Sequence, residues 1–365
     1  MPSKKMKALL VGDAMIPVEG FEKATRKYLS DYVEEIYAYN WEENWDRLQE
    51  RRLIVEKNGP EVEDVLPFIE KAIDAEMLLG LFVPVSKRNM DLMPNLKIVG
   101  VARAGLENVN VKEATRRGII VFNVRGRNAE AVSDFAVGLM IAECRNIARA
   151  HHAIKNGIWR KEFSNSDWTP ELNGKTVGLV GFGYIGKLVA KKLSGFGVNI
   201  IIYDPFVKKE KVEELGFRHV DKDTLFRESD FISLHARLSK DTKNLVSEKE
   251  LSLMKPTAYL INTARAGLID QEALTNALKN KKIAGAGLDV FWEEPLPENS
   301  EFLELDNVTL TTHIAGTTKE ALTRSPELLV RDIEKFLSEG KADFIINPEV
   351  LEKENVKKWL KELKV

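Results

Sequence analysis

The sequence predicts an α/β protein built from two doubly wound parallel sheets, and three observations carry that reading. Short apolar, β-branched runs alternate along the chain with longer helical patterns. The runs are continuously apolar rather than alternating, as strands covered on both faces are. They fall into two groups, one before residue 125 and one after residue 175, which together are too many for one small sheet.

The first group reads KALLVGD, MLLGLFV, LKIVGVA and GIIVFNV, and the second TVGLVG, NIIIYD, DFISLH, AYLINT, AGAGLDVF and NVTLTT. A helical pattern over residues 129–155 bridges them, with Asn128 placed as its N-cap and Gly157 as its stop. A second helical pattern runs over residues 318–337, stops at Gly340 and returns the chain to the first group. Pro326 falls inside it and is expected to kink or end the helix. Residues 40–58 are polar and helix-prone, and residues 352–365 form a short amphipathic pattern with Val356, Trp359, Leu360 and Leu363 on one side. Both read as packing or subunit-contact elements, with an unpacked tail as the alternative.

The 365 residues are 44% hydrophobic and 30% charged, which excludes collagen-like, low-complexity and disordered chains. With 54 basic against 56 acidic residues, no electrostatic footprint for nucleic acid or an anionic membrane is present. Small molecules or proteins are the expected partners. The apolar run near the N-terminus breaks at Gly12 and Asp13, too early for a signal-peptide core, and no run approaches the roughly 18 apolar residues of a membrane span. A single cysteine, Cys144, sits in an apolar helical stretch and reads as a buried, inert thiol in a reducing compartment; the expected location is cytoplasmic.

The strongest local signal is KTVGLVGFGYIGKLVAKKL followed by NIIIYDP. Gly181, Gly183 and Gly186 form G-x-G-x-x-G after a strand and at the start of a helix. The first glycine allows the tight turn, the second a close backbone approach to a pyrophosphate, and the third the packing of helix on strand. Asp204 ends the next strand, where an acid accepts hydrogen bonds from ribose hydroxyls and repels a 2′-phosphate. DPFVKK offers no arginine to offset that repulsion, so NAD(H) is expected over NADP(H).

Three polar residues end later strands: Arg265 in LINTARAGLID, Glu294 in GLDVFWEEP and His313 in TLTTHIAG. Ligands of open α/β sheets bind beyond the carboxyl ends of strands, so the three are candidates to meet a nicotinamide. Hydride transfer at a carbinol carbon needs a proton acceptor, which histidine supplies, and a carboxylate would orient the ring while arginine holds a substrate carboxylate. The competing reading makes Arg265 and Glu294 a structural ion pair and His313 a loop histidine. His235 ends a strand beside the same crevice, as a cofactor contact or a packing residue. His151, His152 and His219 read as surface residues, and no metal site is expected. Trp292 lines a pocket or packs.

On these motifs, together with ATRRGIIVFN, the chain resembles the D-isomer-specific 2-hydroxyacid dehydrogenase family over residues 96–347, in the phosphoglycerate-dehydrogenase-like branch. The resemblance implies a flavodoxin-like substrate domain from residues 1–125 and 318–365, and a Rossmann NAD-binding domain from residues 126–317. It implies catalysis by Arg265, Glu294 and His313, interconverting a D-2-hydroxy acid and its 2-keto acid with NAD. Cofactor contacts are implied at Tyr184, Ile185, Asp204, His235, Ala236, Arg237, Thr263, Ala264, Arg265, Asp289, His313, Ala315 and Gly316, beside the glycine turn. Substrate contacts are implied at Arg103, Ala104, Gly105 and Asn128, in a cleft between the domains. A homodimer with the bridging helix as contact is implied as well.

Several departures from the family pattern stand out. VARAGLENVN is shorter than the loop of phosphoglycerate dehydrogenases, and LLGLFVPVS lacks the arginine that such members tend to carry there. Arg237 replaces the proline of a common His-x-Pro-Leu motif. A C-terminal regulatory domain is expected to be absent. Arg103, Arg125 and Arg127 are either an anionic pocket or solvated loop arginines. The alternative to an enzyme is an NAD(H)-sensing, corepressor-like binding protein. Formate dehydrogenases are disfavoured because they pair their histidine with glutamine where Glu294 stands.

Overall fold

The computed structural model describes residues 5–363 and divides into two compact units, residues 1–127 with 318–365 and residues 128–317. Unit 1 holds β1 (Met6–Gly12), β2 (Val33–Asn40), β3 (Met77–Gly80), β4 (Ile98–Val101) and β5 (Ile120–Asn123), in the order β2-β1-β3-β4-β5. All four pairings are parallel, and the order is that of flavodoxin-like sheets.

Unit 2 holds β6 (Thr176–Val180), β7 (Asn199–Tyr203), β8 (Arg218–His219), β9 (Phe231–Leu234), β10 (Tyr259–Asn262), β11 (Gly285–Leu288) and β12 (Val308–Leu310). Their order, β12-β11-β10-β9-β6-β7-β8, is the Rossmann order with one further strand at the edge, again parallel throughout. Successive side chains of β10 enter two different cores: Leu260 packs with Ile232, Leu288 and Phe302, while Tyr259 and Ile261 pack with Leu139, Met140 and Leu179. This period of two is why the strand sequences are apolar without interruption.

The strands missing from the sequence reading are β2 and β8, both at sheet edges. An edge strand needs only partial burial, so β2 tolerates Glu34 and Glu35 in exposed positions and lacks an apolar run. The bridging pattern divides into helices Ala129–Cys144 and Ile147–Lys155, because Asn146 turns left-handed at φ 59°. Asn128 precedes the first of them without a side-chain cap, contrary to expectation. The return pattern divides at Arg324 into Lys319–Thr323 and Ser325–Glu339, with Pro326 in the first turn of the second piece and Gly340 closing it at φ 70°.

Residues 40–58 contain the helix Trp45–Asn58, capped by Asn44 and anchored by buried Leu48 and Val55. The tail helix Glu354–Glu362 packs into unit 1 through Val356 and Trp359; the last two residues of its expected span lie outside the described residues. Among the described residues, no helix is long and apolar enough to cross a membrane.

The break at Asn146 is held by a buried polar network. Arg149 donates to both carboxylate oxygens of Glu143, at 2.9 and 3.2 Å, and to the Glu143 carbonyl at 2.6 Å. Thr309 of β12 adds a 2.6 Å bond to the same carboxylate, while Asn146 and Asn165 extend the network to the Tyr259 hydroxyl. Burial pushes the Glu143 carboxyl upward against the pull of Arg149, so the pair depends on both partners. Arg149→Ala leaves a buried carboxylate without its cation and is expected to cost about 3–5 kcal/mol in urea unfolding. A loss below about 1 kcal/mol would show the network to be dispensable.

Candidate functional site

The glycine turn sits between β6 and helix Tyr184–Leu193. Gly181 has φ 96°, and a Cβ there would lie 2.8 Å from the Ala236 nitrogen. A Cβ on Gly186 would lie 2.2 Å from the Gly181 carbonyl oxygen, so the third glycine lets the helix seat on the turn. Nothing stands within 4 Å of the Cβ direction of Gly183, at the helix N-terminus. Open space at exposed amides is what a pyrophosphate requires. Tyr184 opens the helix, 57% exposed, with Ile185 behind it.

Asp204 follows β7 and holds this turn in shape. One carboxylate oxygen accepts the Phe182 N–H at 2.7 Å and the other the Phe206 N–H at 2.9 Å. His219, expected at the surface, is half-buried with Nε2 3.2 Å from the Asp204 carbonyl. A carboxylate has about four acceptor sites, so Asp204 keeps capacity for ribose hydroxyls.

Beyond β9 and β10 lie polar atoms with no partner. Both ring nitrogens of His235 and the Thr263 hydroxyl are buried and unbonded. Burial lowers the His235 pKa to about 4, so the ring is neutral. Unmet polar atoms beside an open glycine turn fit a dinucleotide, which would supply their hydrogen bonds. Arg237 is exposed, and its carbonyl accepts the Thr242 hydroxyl at 2.6 Å, which shapes the turn where the common family motif has proline.

Arg265 sits on a turn built by Asn262, a residue the sequence reading passed over. The Asn262 side chain accepts the Ala264 N–H at 3.0 Å and donates to the Arg265 carbonyl at 2.9 Å. The Arg265 guanidinium is exposed and bonds the Ala264 carbonyl at 2.7 Å.

His313 Nδ1 lies 2.8 Å from Glu294 Oε2, and Glu294 Oε1 accepts the Phe291 N–H at 3.0 Å. Desolvation pushes the Glu294 carboxyl upward, but the bonds from His313 and Phe291 and the charges of His313 and Arg265 outweigh it and hold the carboxyl low. Glu294 is therefore ionised beside the imidazole. Among the described residues no ion pair joins Glu294 to Arg265, so the structural-pair alternative does not describe this chain. Trp292 takes the packing role, stacked on Phe302 with its indole N–H on the Ile269 carbonyl.

Asp289 is fully buried and organises the loop carrying His313. It accepts the Thr311 hydroxyl at 2.6 Å and the backbone N–H groups of Ile314 and Ala315 at 3.0 and 2.9 Å. His313 itself sits at φ 56°, a left-handed conformation this clamp sustains. Gly316 completes the loop against Asn128, whose Nδ2 lies 2.4 Å from where a Cβ would stand.

In unit 1 the loop after β4 carries Arg103, Ala104 and Gly105. It is fixed by Asn123, donating to the Ala104 carbonyl at 2.7 Å, and by Asn108, donating to the Val83 carbonyl at 2.9 Å. Arg125 is exposed. Arg127 is partly buried near Asp13, whose carboxyl burial raises to about 6. His151 and His152 are exposed, Cys144 is buried with its thiol pushed up to about 12, and no group of three His, Cys, Asp or Glu among the described residues is arranged to hold a metal.

Residues 137–315 match the family model for the D-isomer specific 2-hydroxyacid dehydrogenase NAD binding domain. A glyoxylate reductase from Thermococcus litoralis is 42% identical over 290 residues, covering 78% of this chain and 87% of the relative. A hydroxypyruvate reductase from Thermotoga maritima is 45% identical over 245 residues, covering 67% and 78%. Among solved structures, a glyoxylate reductase from Paecilomyes thermophila superposes with a TM-score of 0.67 at 26% identity, covering 94% of this chain and 99% of that one.

A neutral buried imidazole has a consequence for stability. The folded-state pKa of His235, about 4, lies below its ordinary value of 6.5, so between those limits the unfolded chain binds a proton that the folded chain refuses. The His235 contribution is complete above pH 6.5 and is lost as pH falls toward 4. Unfolding measured at pH 7 and pH 4.5 is expected to show a smaller acid penalty in His235→Asn than in the wild type; equal penalties would refute a neutral His235.

Proposed function

The chain belongs to the D-isomer specific 2-hydroxyacid dehydrogenase family and is an oxidoreductase acting on CH–OH, and from that premise we propose that it reduces a small 2-keto acid with NADH at Arg265, Glu294 and His313. The observation that carries this reading is the His313–Glu294 pair at 2.8 Å on a loop clamped by Asp289. The nicotinamide supplies the hydride that enters the keto carbon. Residues of the glycine turn, Asp204, His235, Ala236, Arg237, Thr263 and Ala264 would hold the dinucleotide, and Asp289 acts by holding the loop 313–316.

With Nδ1 engaged by ionised Glu294, Nε2 of His313 is the nitrogen that gives a proton to the developing alkoxide, or takes it in the oxidising direction. The carboxylate beside the ring fixes its orientation. Arg265 orients the substrate carboxylate, with Asn128 supporting the Gly316 turn. The named activities of the relatives in Thermococcus and Thermotoga point to glyoxylate or hydroxypyruvate as the keto acid.

NAD(H) is the proposed cofactor because Asp204 presents a carboxylate at the ribose end and no arginine follows it. A homodimer is proposed through the helix Ile147–Lys155 and the segment after it, where Ile147, Ile154, Ile158 and Trp159 are between 54% and 78% exposed. A cytoplasmic location accords with one buried thiol.

His313→Ala is expected to lower kcat for glyoxylate on the order of 10²–10⁴-fold while NADH affinity, read by fluorescence titration, stays within a few fold. NADPH is expected to serve less well than NADH in the same assay, and retained turnover in the variant would overturn the assignment of His313. Sedimentation is expected to give a dimer that Ile154→Lys weakens; a wild-type monomer would remove the proposed contact.

A further inference from the structure

Strand order divides the carboxyl edge of the second sheet at β6, which leads into the glycine turn. On one side, β9, β10, β11 and β12 lead to His235, Thr263, Asp289 and His313. On the other, directly beside β6, β7 leads to Asp204 and the segment 205–207. Phe206 stands in that segment and is 92% exposed, more than any other large hydrophobic side chain among the described residues.

The backbone that carries this ring is fixed. One carboxylate oxygen of Asp204 accepts the Phe206 N–H at 2.9 Å, closing an Asx turn, while the other accepts the Phe182 N–H of the glycine turn at 2.7 Å. The Asp204 carbonyl accepts the Val207 N–H at 3.4 Å and lies 3.2 Å from His219 Nε2. Val207 packs back against the core that holds Ile202 and Val212, whereas Phe206, one residue earlier, stays in water. A single carboxylate thus ties the glycine turn to the residue bearing the exposed ring. A phenyl group in water forgoes the gain from burying its large apolar surface. It has no apolar patch around it either, since Pro205 is exposed and Lys208, Lys209 and Glu210 follow, so it does not form a protein-docking surface. One aromatic ring on a fixed backbone suits one flat partner stacked on its face.

We propose that Phe206 is the stacking platform for the adenine ring of the dinucleotide, so that Asp204 takes the ribose and Phe206 the base of the same nucleoside. The order along the ligand matches the order of the residues: pyrophosphate at the glycine turn, ribose hydroxyls at Asp204, base at the residue that Asp204 holds on its other oxygen. Stacking reads only a π-face, so this contact adds affinity and leaves the choice between NADH and NADPH to Asp204. Phe206 touches no reacting atom and is a binding residue, not a catalytic one. The inference rests on the reading that the glycine turn and Asp204 hold a dinucleotide.

The test compares the full-length wild type with Phe206→Ala and Phe206→Trp. Because the ring is almost wholly in water, ligand-free thermal melts of the three proteins are expected to coincide. ADP-ribose carries adenine, ribose and pyrophosphate without nicotinamide. In calorimetric titration it is expected to bind about tenfold more weakly to Phe206→Ala than to wild type, and to Phe206→Trp within about twofold of wild type. In the glyoxylate assay, KM for NADH is expected to rise about tenfold in Phe206→Ala without a fall in kcat. Equal ADP-ribose affinity in wild type and Phe206→Ala overturns the proposal and leaves the dinucleotide reading in place. An equal loss in both variants also overturns it, since a larger π-face would then serve no better than none. A wild type that binds neither ADP-ribose nor NADH overturns the dinucleotide reading, and the proposal with it.

Discussion

A strand that runs parallel to its neighbour can be reached only by crossing back over the sheet, and every pairing between the named strands of both sheets is parallel. Two consequences follow. Each sheet is covered on both faces by its crossover segments, so strand interiors such as Leu9, Leu10, Leu260 and Ile261 are fully buried and carry no chemistry. All carboxyl ends within a sheet then collect on one edge, and polar residues appear there as each strand runs out: Asp204 after β7, His235 after β9, Thr263 and Arg265 after β10, Asp289 after β11, His313 after β12. The site is the place where the buried core stops.

How these ends are fixed differs from one to the next, and the differences have a physical logic. The side that carries His313 is tied down by charged acceptors: Asp289 binds two loop amides and a hydroxyl, and Glu294 binds an imidazole and an amide. Asn262 does the same for the Arg265 turn with a neutral amide. Each of these side chains saturates backbone groups that would otherwise be unpaired at the end of a strand, so the loops need no ligand to hold their shape.

Much of this was legible in the sequence because the signals are local. Continuous apolar runs give buried strands, G-x-G-x-x-G after a strand gives the turn, and an acid at the end of the next strand gives Asp204. What was not legible depends on tertiary neighbours. Edge strands β2 and β8 lack the apolar signature because water covers part of them. The network at the Asn146 break draws on Asn165 and Thr309, both far from it in sequence. The resemblance implies a cofactor contact at Asp289, but that its carboxylate also clamps the amides of Ile314 and Ala315 depends on how the loop folds back on it. Glu56 carried no signal at all: it lies on a polar helix far along the chain from Arg103 and meets it only through the fold.

The contrast between satisfied and unsatisfied groups carries the synthesis one step further. A buried hydroxyl or imidazole nitrogen without a partner costs on the order of 1–3 kcal/mol, and a fold tolerates it where a ligand will supply the missing bond. Among the described residues of unit 2, the buried unpaired side-chain atoms are Ser233 Oγ inside β9 and, past the ends of β10 and β9 next to the open Gly183 turn, Thr263 Oγ1 and both His235 nitrogens, while Asp289 and Glu294 have their bonds in place. Binding energy from a dinucleotide would then be gained at His235 and Thr263, and His313, the proton carrier of the proposed reaction, would be oriented before anything binds. On the proposed assignment, an edge divided in this way separates affinity from chemistry: His235 and Thr263 serve the cofactor, and Asp289 and Glu294 keep His313 in place.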